Sequence, residues 1–288
     1  MNGKVRWLGL AGCALALSVS GHLVTVTAHA RNTETASGAE PTLRAAAQQG
    51  PALVQQIRSA IETASPGTVS GIDVVDTETG AELAALDADR QFYTASVVKL
   101  LIAIDAIETS GESVDADRIR QMLSASDDSA ADALWEADGG ADIVRRTAAL
   151  LGLDGTAPPD DPAQWGETRT TPRDVVTIYR YLTTVAPPFE RALILDALGS
   201  VSEIAADGTD EFFGIPAALP GADWFVKPGW MTLDSSTTLN STGLVGPPDD
   251  PQRYAVVVLT TQPAGTGWDA GGAALTAGIS ALAALVES

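Results

Sequence analysis

Past residue 30 this sequence has no cysteine and no histidine, since Cys13, His22 and His29 are the only ones in its 288 residues. That absence removes a Ser-His-Asp triad, a cysteine nucleophile, a Cys/His zinc site and a disulfide framework from everything downstream. Lysine is nearly as scarce. Of the 15 basic residues after position 30, 13 are arginine and only Lys99 and Lys227 are lysine. Arginine keeps its proton in a protein, whereas lysine can lose it when desolvated, so two lysines kept in an arginine-using chain are candidates for chemistry. Positive charge as a whole is in deficit. The chain holds 17 Lys and Arg against 37 Asp and Glu, and two of the basic residues but no acid fall in the first thirty positions, leaving −22 beyond them. A field of that sign repels nucleic acid and anionic membrane surfaces, and solubility is reason enough for it.

Those first thirty residues have their own pattern. Lys4 and Arg6 precede an apolar run from Trp7 to Val26, and Ala28-His29-Ala30 follows as a small-residue cleavage signal. This predicts a secretory signal peptide over 1–30, and hence a protein secreted or held in the cell envelope. Leu10-Ala11-Gly12-Cys13 offers a competing lipoprotein box that would anchor the chain through Cys13, although much of the apolar run lies after it. An uncleaved membrane anchor is a third reading, opposed by Ser18, Ser20, Gly21 and His22.

Residues 31–50 are small and polar and read as a linker. Leu53, Val54, Ile57 and Ile61 recur at helical spacing after Pro51. Gly71–Val75 and Glu82–Leu86 flank Asp76-Thr77-Glu78-Thr79-Gly80 as a β-hairpin. A strongly apolar helix is predicted from Ala95 to Ile107, then helix after helix to Ser200, with Thr171, Pro172 and Asp174 as cap, first residue and first-turn acid of one of them. Trp224–Thr232, Thr237–Val245 and Tyr254–Thr261 read as strands, and Gly271–Val286 as a closing Ala-rich helix. The fold class is therefore α/β in the α+β sense. An antiparallel sheet from 51–110 and 215–288 is flanked by the N- and C-terminal helices, and an all-helical domain over 111–214 is inserted between its second and third strands.

Ser96-Val97-Val98-Lys99 places a hydroxyl and an amine three residues apart on one helix face, about 5–6 Å between β-carbons. A buried, deprotonated Lys99 could take the Ser96 proton as that hydroxyl attacks a carbonyl. The plain alternative is a helix with a snorkelling lysine. Ser126-Asp127-Asp128 stands before Ser129–Leu134 and reads equally as an N-cap with first-turn acids. Lys227-Pro228-Gly229-Trp230 reads as an edge strand guarded by a charge and a proline.

In that order and spacing, Ser96/Lys99, Ser126-Asp127-Asp128 and Lys227-Pro228-Gly229 resemble the S-x-x-K, S-D-N and K-T-G signature of serine β-lactamases and penicillin-binding proteins. Thr170–Asp174 is similar to the helix start after the omega loop of class A β-lactamases. The resemblance spans about residues 50 to 288 and implies a β-lactamase/transpeptidase-like fold. It implies an active-site-serine hydrolase that is acylated by β-lactams or related peptide-like amides, or a D,D-peptidase or esterase acylated slowly by them. Ser96 would be the nucleophile, Lys99 its base and Ser126 the proton carrier to the leaving nitrogen. Asp128, Lys227, Gly229 and Trp230 would bind substrate, with the Ser96 and Trp230 N–H groups as oxyanion hole. No metal and no organic cofactor is implied. The expected partner is a small-molecule or cell-wall peptide substrate met by a monomer, with no nucleic acid and no membrane beyond an N-terminal anchor.

Three departures count against turnover and keep a catalytically degenerate envelope binding protein in play. Asp128 replaces the family's asparagine, and a carboxylate beside Lys99 favours its ammonium form. Pro228 replaces a hydroxyl residue, removing a contact to a substrate carboxylate while, by strand alternation, sparing the hydrogen-bond ladder. The segment before Thr170 is too short for the family's E-x-x-L-N glutamate. Glu167 is the nearest candidate for deacylation, and pairing with Arg169 or solvation is its alternative.

Overall fold

Strands whose side chains alternate between two covered faces build the sheet on which the site rests. In the computed structural model the described residues are 39–287, so the signal-peptide, lipoprotein and anchor readings of the first thirty lie outside them. Helix α1 (Ala39–Ala64) leads into strands β1 (Val69–Asp76), β2 (Glu82–Leu86) and the short β3 (Phe92–Tyr93). A 3₁₀ turn over Ala95–Val98 then passes directly into α2 (Lys99–Ser110). Helices α3 (Ala116–Ser124), α4 (Asp128–Ala137) and α5 (Ala141–Leu151), strand β4 (Arg169–Thr170), α6 (Pro172–Thr184) and α7 (Pro188–Leu198) make the helical block. After α8 (Ile215–Ala218) come β5 (Asp223–Val226), β6 (Gly229–Thr232), β7 (Ser236–Gly246) and β8 (Tyr254–Pro263), closed by α9 (Trp268–Ile279) and α10 (Ala283–Val286).

The main sheet is antiparallel in the order β2-β1-β8-β7, and the outer edge of β7 carries β5 along one half and β6 along the other. Side chains alternate faces along each strand. Ile72, Val74, Val256 and Val258 pack beneath α1 and α9 with Ile57, Ile61, Leu275 and Ile279. Val75, Ala255, Val257 and Leu259 face the helical block, in a second core with Leu101, Ile104, Val175 and Tyr179. Every residue of α2 from Lys99 to Ile107 is buried. That helix lies among α3, α4, α5 and α7, and α6 packs that block against β1 and β8.

Several expectations change in detail. The first helix begins at Ala39 and runs through Pro51, so the stretch expected as linker to residue 50 is helical from 39. Ala45, Ala46, Ala47, Gln48 and Gln49 carry enough helix propensity to extend it despite the donor that Pro51 lacks. The single strand expected over Trp224–Thr232 is split at Lys227-Pro228, although its register on β7 continues, with Val226 opposite Gly243 and Gly229 opposite Asn240. The two-residue β3–β4 pairing had no visible signal in the sequence.

One buried group on β1 works against the fold. Neither carboxylate oxygen of Asp73 has a hydrogen-bond partner, and the nearest guanidinium nitrogen, on Arg173, is 4.0 Å away. Burial pushes its pKa from 3.8 up to about 7, Glu82 adds to the rise and Arg173 opposes it. A carboxyl with a raised native pKa contributes stability at low pH that is lost as pH rises through the native value. Asp73→Asn is therefore expected to raise thermal stability at pH 8 by about 1–3 kcal/mol and to change little near pH 4. Parallel melts of the two proteins across that range check it, and a difference independent of pH contradicts it.

Candidate active site

The turn that presents Ser96 is held in a conformation its residues do not favour. Ala95 has φ +45°, a left-handed geometry that a non-glycine residue adopts only when its surroundings impose it. Asn240 on β7 supplies part of that constraint, its Nδ2 donating to Tyr93 O at 2.9 Å and to Thr94 O at 3.0 Å. Gly229 supplies another. A β-carbon there would stand 2.8 Å from Thr94 O and 3.0 Å from Ser96 N, so only glycine lets β6 close on the turn. Ser96 lies in a 3₁₀ turn and Lys99 opens α2, so the S-x-x-K spacing is met by eclipsed i, i+3 side chains and not by the α-helix expected.

Ser126 is the second residue forced left-handed, at φ +50°. It does not cap α4. Asp127 does, its Oδ1 accepting from Ser129 N at 2.8 Å and Ala130 N at 3.1 Å, which frees the Ser126 side chain to point inward. Both lysines converge on it: Lys227 Nζ donates to Ser126 Oγ at 2.9 Å, and Lys99 Nζ lies 3.3 Å from the same oxygen. Both side chains have no exposed surface.

Lys99 has further partners. It donates to Ser126 O at 2.6 Å and to Asp128 Oδ1 at 2.6 Å, and the ring of Trp165 lies 5.2 Å from Nζ. With Ser126 Oγ at 3.3 Å, Ser126 O and Asp128 Oδ1 make three acceptors for the three donors of an ammonium. Among the described residues no hydrogen bond joins Lys99 to Ser96, so the dyad expected from spacing shares a turn without touching. Asp128 is the reason: the carboxylate binds the lysine instead of waiting for substrate.

Lys227 is braced from below. Its backbone N donates to Thr242 O at 2.9 Å, Thr242 Oγ1 donates back to Lys227 O at 2.8 Å, and Tyr179 of α6 shares that hydroxyl at 2.9 Å. Because Lys227 N faces β7, alternation turns the ring nitrogen of Pro228 and the N–H of Trp230 to the open side, where the oxyanion-hole assignment needs the latter. Glu211 Oε2 lies 3.7 Å from Lys227 Nζ. Burial pulls Lys227 from 10.5 down to about 8, with Glu211 resisting the fall, Lys99 adding to it and Asp128 resisting.

These groups border an open cleft of about 550 Å³ that includes Ser96, Ser126, Asp128 and Trp230. Glu167 is not on its wall, whereas its neighbours Gln164, Trp165 and Gly166 are. Arg169 pairs with Asp160 at 2.9 Å, not with Glu167. Trp165 fills the place over Lys99, anchored by Nε1 donating to Asp132 Oδ1 at 2.8 Å. Sequence reasoning missed Glu211, Trp165, Asp132 and Asp207, all on the cleft wall. A tryptophan in the short segment before Thr170 was the one signal available; Glu211 had none.

Comparison with known proteins agrees with this architecture. A family model described as the beta-lactamase enzyme family matches residues 52–114 and 116–286. Proteins of Mycobacterium tuberculosis and Mycobacterium bovis named "Putative lipoprotein LppW" are 34% identical over 223 residues, covering 74% of this chain and 69% of theirs. Among solved structures, a β-lactamase from Chitinophaga pinensis superposes with a TM-score of 0.67 at 17% identity, over 81% of this chain and 98% of that one. PBP-A does so with a TM-score of 0.65 at 20% identity, over 82% and 96%. The fold is thus β-lactamase-like, with an antiparallel sheet and a helical block.

Glu211 is the counter-charge whose removal the site should feel. A lysine whose native pKa is depressed contributes stability that is lost as pH falls from its unfolded toward its native value, and losing Glu211 deepens that loss. Glu211→Gln is expected to lower stability by about 1 kcal/mol at pH 7, with the gap closing by pH 9.5 as Lys227 sheds its proton. Melting curves at the two pH values check this, and an equal loss at both contradicts it.

Proposed function

The chain belongs to the beta-lactamase enzyme family, and we propose that within it this protein is an envelope acyl-serine protein that β-lactams or related peptide-like amides acylate on Ser96 and leave only slowly. The observation that carries the reading is Ser126 Oγ, bridged by Lys227 at 2.9 Å and Lys99 at 3.3 Å on the wall of the cleft that holds Ser96. A hydroxyl between two amines can relay a proton from an attacking serine to a leaving nitrogen. The Ser96 and Trp230 N–H groups are assigned to the developing oxyanion.

In this account Ser96 Oγ attacks the amide carbonyl, its proton passes by way of Lys99 and Ser126 to the departing nitrogen, and an ester on Ser96 remains. The first transfer requires Lys99 first to give up a proton, and with it one of its present partners. Asp128 opposes that release, so acylation is slow. Hydrolysis of the ester then needs a base to activate water, and the position over Lys99 is taken by the indole of Trp165, with Glu167 off the cleft wall. The adduct therefore persists. A PBP-A variant at 20% identity is described as an acyl-enzyme complex with penicillin G, which supports acylation as the property this fold keeps.

Export is part of the proposal. The name of the mycobacterial relatives favours lipid attachment as a second route beside cleavage after Ala30, and the Leu10–Cys13 box would be its site. Lipid attachment would hold the protein in the cell envelope, whereas cleavage after Ala30 would leave it secreted or in the envelope, and the mass of the processed N-terminus distinguishes them.

Intact-protein mass spectrometry with benzylpenicillin tests the chemistry. One penicillin mass is expected to accumulate on Ser96 over minutes and to survive gel filtration, while Ser96→Ala and Lys99→Ala each abolish it, as does Lys99→Arg. Rapid turnover without accumulation would make the protein an efficient hydrolase, and no adduct at all would make it a binding module.

A further inference from the structure

We propose that this cleft selects acyl donors whose acyl side chain carries an ammonium group, and disfavours those marked there by a second carboxylate. The inference deepens the function proposed above and takes from it only the identity of Ser96 as the acylated residue.

The charge on the cleft wall carries it. Asp128, Asp132, Asp207 and Glu211 all line the opening, against two buried lysines beneath them. Neither lysine is free to attract an anion. Lys99 is occupied by Ser126 and Asp128, and Lys227 by Ser126 with Glu211 at 3.7 Å. The residue after Lys227 is Pro228, which brings neither a hydroxyl nor an N–H to a carboxylate.

A second, independent feature points to a donor from the ligand. Glu211 lines the cleft, and its buried Oε2 accepts no hydrogen bond, the Lys227 ammonium standing 3.7 Å away. At the rim, Asp132 is oriented by Trp165 Nε1 at 2.8 Å and Asp207 Oδ1 by Thr209 N at 2.9 Å, so each carboxylate is fixed through one oxygen with the other left to accept. Trp165 and Trp230 complete the wall. Carboxylates set among indole faces form the environment in which organic cations are held, through ion pairing together with attraction to the ring face. Clefts lined by one sign of charge also concentrate the opposite sign near the mouth. For a donor with a pendant ammonium, the carbonyl would reach Ser96 while the ammonium remains among Asp132, Asp207 and the rings.

The test separates this preference from the acylation chemistry. Ampicillin, benzylpenicillin and carbenicillin share one bicyclic core and place an ammonium, no charge and a carboxylate in the same side chain. Isothermal titration of the Ser96→Ala protein with each, at 25 mM and 300 mM NaCl, is expected to show ampicillin bound at least tenfold more tightly than carbenicillin at low salt. Benzylpenicillin should fall between them, and the gap should narrow at high salt. Adding Asp132→Asn and Asp207→Asn, which keep an oxygen acceptor for Trp165 Nε1 and for Thr209 N, should bring the ratio within about threefold. Equal affinities, a reversed order, a preference that survives both substitutions, or no heat with any of the three up to millimolar concentration would overturn the inference. Mass spectrometry of the wild-type protein with ampicillin reads the other claim. A retained ammonium preference without an adduct would sink the acyl-serine function and leave the inference standing, and an adduct with equal affinities would do the reverse.

Discussion

Two ammonium groups with no access to water are the constraint around which this protein is organised. Burying a cation costs several kcal/mol unless its donors are met, and here two are buried against one serine. The fold meets that demand with Ser126 forced left-handed so that both its carbonyl and hydroxyl face inward, Asp128 bonded to Lys99, and Glu211 beside Lys227. Asp127 takes over the helix cap so that Ser126 need not. Strand β6 closes on the Ser96 turn at Gly229, and Asn240 ties that turn to β7. Each strained or buried polar feature near the cleft traces back to holding these two charges beside Ser96.

That economy explains how the site differs from the pattern it resembles. With an asparagine at position 128, Lys99 would face a neutral partner that competes little for its proton. With aspartate, the lysine sits in an ion pair at 2.6 Å and in front of an indole, an arrangement suited to a structural cation. The machinery for forming an ester is in place while the means of activating and clearing it are weakened. Under the proposed function, slow acylation and slower release would be the kinetic form of that geometry.

Much of this was legible in the sequence, for reasons that can be named. The sheet showed through because Ile72, Val74, Val256 and Val258 alternate with residues of the opposite face, and the cap of α6 because Thr171-Pro172 states it locally. Ser96, Lys99, Ser126 and Lys227, marked by ordered spacing and the lysines also by their scarcity, are brought together by the fold at one cleft. What escaped depends on contacts between distant segments. Glu211 becomes Lys227's counter-ion only when the loop before α8 folds back on the strand, and no period or motif records that approach. The missing Lys99–Ser96 bond escaped too, because spacing shows which side chains share a turn, not which partner wins. Asp128 was recognised as a departure, but only its distance shows that it captures the lysine.

The central claim is that Asp128 holds Lys99 away from its role as base, and pre-steady-state acylation by a chromogenic cephalosporin across pH 6 to 9 tests it most directly. In a well-folded Asp128→Asn protein the acylation rate should rise by about tenfold, the change expected when about 1.4 kcal/mol of ion pairing no longer holds the lysine. An unchanged rate across that range would contradict the account and leave Asp128 as a surface acid of α4.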